Sequence, residues 1–394
     1  MSGKKLVACL VALGLGLMVT ACGSSDSGST ESTASNSGSS GGLGPVAEAA
    51  FKKSTGLPAL TGEATLEELK PRVEKFEETP QKLLVTEPVS KKAEPGKVIA
   101  DIRTDLPQNV EFLNAITDAA KLLGWTVERI DQGASPQEFA QAYDQAIQMK
   151  PDLVIGSGLP REYFDKQLDE LASMNIPVIE WSTDIEPVPG HLWGAVGQAT
   201  ELANGMMTAE FLASESEMKG GIVTFAIPQY SVNYLYAKTI QDQLGVVCPG
   251  CSAELVDAGV NDVGQLGPKV VAYLEQNPDT KYVVCAFGDM CTGVASALRA
   301  AGKGDVKIFT HQPSTTNLQQ MANGFEWAAN PLPTDQTGWQ VIDLAQRIFN
   351  GDDTTDTDLQ PIQIVTDVTD PKSPTIGAVS DYQEKYKKLW RLDE

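Results

Sequence analysis

The feature that most constrains this chain is an alternation of strand-like and helix-like runs that begins at Lys97. Short apolar runs alternate with amphipathic ones: "KVIADI", "NVEFLNAITDAAKLLG", "WTVERID", "PQEFAQAYDQAIQMK", "PDLVIGSG", "YFDKQLDELASMN" and "IPVIEWS". Each helical run closes on a turn signal (Gly124, Lys150-Pro151 or Asn175-Ile176-Pro177) and leads into a β-rich run. Adjacent parallel strands need such crossovers, and helices then cover both faces of the sheet. The pattern predicts a helix from Thr200 to Ser214, after which the rhythm restarts. The second set is "GGIVTFA", "SVNYLYAKTIQDQLG", "SAELVDA", "VGQLGPKVVAYLEQN", "KYVVCAFG", "MCTGVASALRAAG" and "VKIFTHQ". The fold class is therefore α/β, with two doubly wound parallel-sheet lobes.

The N-terminus fixes the compartment. Lys4 and Lys5 precede an apolar run from Leu6 to Thr20. That run is too short to span a membrane but suits the core of a signal peptide. It ends in Val19-Thr20-Ala21-Cys22, which resembles a bacterial lipobox, so residues 1–21 read as a lipoprotein signal peptide and Cys22 as the lipidated first residue. Residues 22–42 are almost wholly small and polar. Such a tract cannot bury enough apolar surface to fold and acts as a disordered tether. The expected location is the extracytoplasmic face of the cell membrane, reached through a lipid anchor.

Outside the cytoplasm disulfides persist. With Cys9 in the signal and Cys22 lipidated, Cys248, Cys251, Cys285 and Cys291 remain, and four cysteines allow three connectivities. The simplest pairs Cys248 with Cys251 and Cys285 with Cys291. Free thiols, thiol exchange at Cys248-Pro249-Gly250-Cys251 and a zinc site stay open. The zinc site would need all four to converge, and His191 and His311 sit at no ligand spacing from them.

Between tether and body, residues 43–96 predict short helices at Pro45 to Lys53, Thr65 to Lys70 and Pro71 to Phe76. An extended run from Leu83 to Pro95 follows, so this segment is expected to lie on the outside as a strap. The 394 residues, 42% of them hydrophobic, suffice for two domains besides. A formal charge of −22 disfavours nucleic acid and anionic headgroups.

Catalytic motifs are scarce. Gly156-Ser157-Gly158 lacks the third glycine of a dinucleotide loop and is interrupted by Pro160. The chain has no Gly-x-Ser-x-Gly, Walker or His-Glu-x-x-His motif and no EF-hand spacing, and only two histidines. Asp352-Asp353 reads as a solvated turn. The chain is expected to be no enzyme and to need no cofactor or metal.

Binding is better served, because ligands of open parallel sheets gather at the carboxyl ends of the strands. Those ends give Arg103-Thr104-Asp105, Ser157, Trp181-Ser182-Thr183, Gln229-Tyr230, Gly288-Asp289, His311-Gln312 and Ala329-Asn330. Trp181 offers a ring face, and Gln229, Gln312 and Asn330 can each donate and accept. Trp181 and Tyr234 equally suit filling the core between the lobes.

From Lys97 onward the chain resembles a type I periplasmic binding protein of the group that includes ribose-binding protein. The resemblance rests on the strand–helix rhythm and on "ASMNIPVIEWS", "YVVCAFGDMCTGVASALRAAGKGDVKIFTHQP", "NPLPTDQTGWQVIDLAQRIFNG" and "YQEKYKKLW". It implies two lobes joined by three hinge crossings, near Gly197 to Thr200, Ala329 to Leu332 and Gln360 to Pro361. The first lobe would take residues 97–199 with 331–360, and the second 200–330 with 361–394.

Such a receptor closes on a small-molecule solute and hands it to the permease subunits of an ABC importer, acting as a monomer. A ligand-sensing receptor that signals to a membrane partner is the alternative. The family's sugar-gripping charges are altered here. An Asp-Arg pair becomes Ser182-Thr183, an arginine aligns with Tyr234, and an asparagine becomes Gly288 beside a retained Asp289. An acidic residue becomes Gln312, and Asn330 matches a family amide. The substitutions suit an uncharged polar solute, sugar-like or ring-containing. Asp105 and Trp181 are expected to reach it from one lobe, Tyr234, Asp289 and Gln312 from the other, with Asn330 at the crossing.

Overall fold

In the computed structural model, residues 43–105, 107–158, 160–182, 188–373 and 375–394 are described. The signal peptide, Cys22, the tether and Thr183 lie outside them. Two helices come first, α1 (Pro45–Thr55) and α2 (Leu66–Glu77). The first lobe follows: β1 (Val98–Arg103), α3 (Pro107–Leu122), β2 (Thr126–Asp131), α4 (Pro136–Met149), β3 (Leu153–Ser157), α5 (Asp165–Ser173), β4 (Val178–Trp181) and β5 (Leu192–Ala195). The second lobe has α6 (Gln198–Glu215), β6 (Gly220–Ala226), α7 (Ser231–Val247), β7 (Cys251–Asp257), α8 (Gly267–Gln276), β8 (Thr280–Cys285), α9 (Gly288–Cys291), α10 (Val294–Ala300), β9 (Lys307–His311), α11 (Thr315–Ala322) and β10 (Ala328–Asn330). Last come α12 (Thr334–Asn350) and α13 (Tyr382–Leu389).

Each lobe is a five-stranded sheet, ordered β2-β1-β3-β4-β5 and β10-β9-β8-β6-β7, and every strand pair within them is parallel. The two orders are the same when the second is read from β7, so β9 is the counterpart of β4. Side chains alternate across each sheet. In β1, Ile99 faces the core under α3 and α12 while Ala100 and Ile102 face the core under α4 and α5. Burial on both faces explains why these strands read as continuous apolar runs.

Several elements differ from the sequence expectation. A single helix, α2, runs through Pro71 where two were expected, held at its start by a Thr65–Glu68 capping box. The helix expected after Met290 is two, α9 and α10, parted at Gly293, whose φ is 85°. The C-terminal segment 361–394, expected with the second lobe, is divided. Ile364 joins the second lobe's core, but Tyr382, Tyr386, Leu389 and Trp390 pack on the first. Their spacing makes one apolar helix stripe, which Trp339 of α12 receives by stacking on Trp390 at 5.2 Å. The chain thus crosses between lobes once more, between Val368 and Ala378.

Candidate ligand-binding site

The candidate site is the set of carboxyl-terminal strand ends of the two sheets. In the first lobe Arg103, the last residue of β1, is fully buried. Its Nε and Nη2 donate to Asp101 Oδ2 and Oδ1 at 2.7 and 2.5 Å. Its guanidinium lies 4.3 Å from the Phe112 ring and 5.4 Å from that of Trp181, and these two rings stack at 4.3 Å. Trp181 is only 4% exposed, so it is a wall of the lobe with its face already covered. Arg103 Nη1 and Trp181 Nε1 are buried donors without a protein acceptor.

On the opposite face of that sheet, Glu180 accepts from the Tyr143 hydroxyl over Gly156, where any Cβ would collide with both groups. Burial pushes the Glu180 carboxyl up to about 8, against the opposing effects of the Tyr143 hydrogen bond and the Arg103 charge. Tyr143 is raised well above its ordinary value, by burial first and then by the Glu180 charge.

The second lobe supplies a buried polar network. Gln312 Nε2 donates to Glu201 Oε1 at 3.0 Å, and Asn330 Nδ2 donates to the Gln363 carbonyl at 2.9 Å. Asn330 Oδ1 therefore faces His311 Nδ1, 2.8 Å away, so Nδ1 carries the proton. His311 Nε2 lies 2.7 Å from Glu201 Oε2, and Tyr236 stacks on the imidazole at 3.8 Å. Asn233 Nδ2 donates to the Ala286 carbonyl at 3.2 Å and faces Gln312 Oε1 at 3.5 Å. Gly288 packs so closely under Gln312 that a Cβ would come within 2.7 Å of the Gln312 carbonyl. Half-buried Asp289 is raised by burial alone, as is Tyr230, which meets Phe287 edge-on at 5.5 Å.

The structure thus groups Gln312, Asn330, Asp289 and Tyr230 on one side, and Arg103 and Trp181 on the other. Ser182 follows Trp181 at φ 55°, and Ser157 sits in register with Trp181. Three expected residues lie apart. Asp105 is 77% exposed and pairs with Arg129 at 2.7 Å. Gln229 is exposed. Tyr234 donates to Asp257 at 2.9 Å, at the end of the outermost strand β7. One residue earlier, and so about 100° around the helix, Asn233 faces Gln312. Sequence reasoning missed Asn233, Tyr236 and Glu201. An acid in the first turn of α6 was the available signal for Glu201.

All four remaining cysteines are bridged, Cys248 to Cys251 and Cys285 to Cys291. The second bridge closes the turn that carries Gly288 and Asp289. Among the described residues no cluster of three or more His, Cys, Asp or Glu could hold a metal ion.

Residues 104–353 match the model of the periplasmic binding protein domain. The chain belongs to that family, whose members are extracytoplasmic solute-binding proteins, and it has the type I arrangement of two parallel-sheet lobes. A sugar ABC transporter protein from Yersinia enterocolitica shares 20% identity at a TM-score of 0.63, over 76% of this chain and 96% of that one. A 5-methylthioribose transporter solute-binding protein from Thermotoga lettingae shares 16% at 0.63, over 75% and 98%. An allitol-bound solute-binding protein from Agrobacterium vitis shares 22% at 0.57, over 69% and 95%. A search of curated proteins gave no match.

Proposed function

We propose that this protein captures a small, uncharged polar solute, sugar-like or ring-containing, between its lobes and delivers it to an ABC importer. Gln312 is the observation that carries the reading. Its amide nitrogen is committed to buried Glu201, and its carbonyl oxygen takes only a long 3.5 Å bond from Asn233 Nδ2, which leaves that oxygen a second lone pair for a solute. Asp289 adds a second acceptor on that lobe, while Arg103 Nη1 and Trp181 Nε1 are unpaired donors on the other. Hydroxyl groups donate and accept, so a polyol or sugar satisfies both walls.

The basic groups of the first lobe's strand ends are already neutralised, Arg103 by Asp101 and Arg129 by Asp105. That leaves little to grip an anionic solute. The similar proteins from Thermotoga lettingae and Agrobacterium vitis hold 5-methylthioribose and allitol, which agrees in chemical class. Val19-Thr20-Ala21-Cys22 and the polar tract behind it support a receptor anchored through lipid on Cys22.

Calorimetric titration with pentoses, hexoses, polyols and nucleosides tests the reading. One of them should bind saturably, and Asp289→Ala should weaken that binding by roughly 1–3 kcal/mol. Failure of every solute, or unaltered affinity in the variant, contradicts it.

A further inference from the structure

Residues 43–96 precede the matched family domain, and structural neighbours that are themselves spanned almost completely cover only about three quarters of this chain or less. Yet the segment is built into the body at both ends. On the second lobe Arg72 donates from Nε and Nη2 to the two carboxylate oxygens of Glu210 at 2.6 and 2.8 Å, and from Nη2 to the Pro58 carbonyl. Glu210 is completely buried there. Phe51, Leu69 and Phe76 join that lobe's core. On the first lobe Val89 N donates to the Leu389 carbonyl, Arg347 to the Glu87 carbonyl and Trp125 Nε1 to the Glu94 carbonyl.

Between these ends the segment lies along the third hinge crossing. Ile364 N donates to the Phe76 carbonyl at 2.8 Å, Ile362 N to the Ser54 carbonyl at 3.4 Å, and Gln363 Nε2 to the Glu77 carbonyl at 2.9 Å. Little slack remains beyond Glu77, because Pro80 accepts from Ser380 N and Leu83 is buried in the first lobe's core. Gln363 also carries a path to the cleft: its own carbonyl holds Asn330, which orients His311, which meets Glu201, which holds Gln312. A free N-terminal arm would need none of this, since water satisfies exposed backbone groups.

We infer that residues 43–96 are an inter-lobe brace that sets the resting angle between the lobes, with Gln363 the positioning residue that passes this constraint to Asn330 and the cleft. The inference rests on the two-lobed architecture and needs no bound solute, so it stands or fails separately from the proposed function. The bonds to Ile362, Gln363 and Ile364 hold residues 43–77 to the second lobe, so rotation of one lobe against the other must be taken up in the short stretch between Glu77 and Leu83 or pull on the ends at Arg72 and Val89. A brace of this kind biases a hinge equilibrium without touching the solute.

The test is the distance between spin labels on Glu162→Cys and Asn261→Cys, exposed at the rims of the two lobes, in the full chain without solute. Three backgrounds are compared with the parent. Arg72→Met with Glu210→Gln releases the anchor and leaves no lone buried charge. Gln363→Ala removes the relay. A protease site in the exposed turn at 78–82, cut after folding, severs the strap. Each should shift or broaden the distance distribution, the cut form irrespective of how well the anchor variant folds. An unchanged distribution in the cut protein overturns the inference. So does a lowered melting temperature with an unchanged distribution in the two substituted forms, since that is the mark of mere structural support.

Discussion

Ser182 and Gln312 occupy the same place in the two lobes: each follows the fourth strand of its sheet order, and each is left-handed, with φ of 55° and 46°. Two independent non-glycine residues strained at matched positions mark the strand ends as built for something other than stability. Ser182→Gly should relieve about 1 kcal/mol of strain and leave the melting temperature equal or higher. Gln312→Ala takes a donor from buried Glu201 and should cost ~1–3 kcal/mol, as well as weakening solute binding. Chemical denaturation of the two variants checks both signs.

A second expectation follows from Glu180, held protonated by burial with a carboxyl pushed up to about 8. Its folded value exceeds its unfolded one, so between the two the folded state binds the extra proton and stability falls as pH rises. Glu210 and Glu326, each raised to about 7 mainly by burial, act in the same direction. The melting temperature should therefore decline from about pH 5 to 8. Glu180→Gln should flatten part of that decline, gaining stability at pH 8 relative to pH 5. A parallel profile in the variant would contradict the assignment.

Trp181→Ala should act first on the fold. Its ring stacks on Phe112, which also carries the Arg103 guanidinium, so truncation opens a cavity and should cost about 3–5 kcal/mol. Phenylalanine at 181 should restore most of this stability. It lacks Nε1, so any solute contact through that atom would show as a residual loss in a titration.

The two disulfides should differ in consequence. Either closes a short loop and is worth about 2 kcal/mol in the chain-entropy model. Replacing Cys285 and Cys291 by serine should in addition weaken solute binding, because that bridge pins the turn bearing Asp289. Replacing Cys248 and Cys251, at the junction of α7 and β7, should not. Equal binding by both double variants would detach the Asp289 turn from the site.

Much of this architecture is legible in the sequence because periodicity survives translation into burial. Strands such as "GGIVTFA" are apolar at every position because helices cover both faces, and the structure places β6 over those seven residues. The short strand β5 leaves no such trace, and β10, only three residues long, shows only through its end at Ala329-Asn330. Site residues are harder to read. A one-residue error in alignment is harmless to a strand's existence but turns a helix side chain through about 100°, which separates Tyr234 from Asn233. Trp181 looks like a free aromatic in the sequence because nothing local announces Phe112 as its cover. Residues 43–96 read as a strap, but which crossing they would grip depends on Arg72 finding Glu210 far along the chain, a pairing that no local pattern encodes.

The central claim is that the lobes close on a solute held between Gln312 and Asp289 on one side and the Arg103–Trp181 wall on the other. Small-angle X-ray scattering of the protein, alone and saturated with the sugar, polyol or nucleoside that most raises its melting temperature, tests this most directly. The account predicts a smaller radius of gyration with solute, and loss of both the compaction and the thermal shift in a Gln312→Ala, Asp289→Ala double variant. No stabilising solute in that panel, or binding with an unchanged radius, would contradict it.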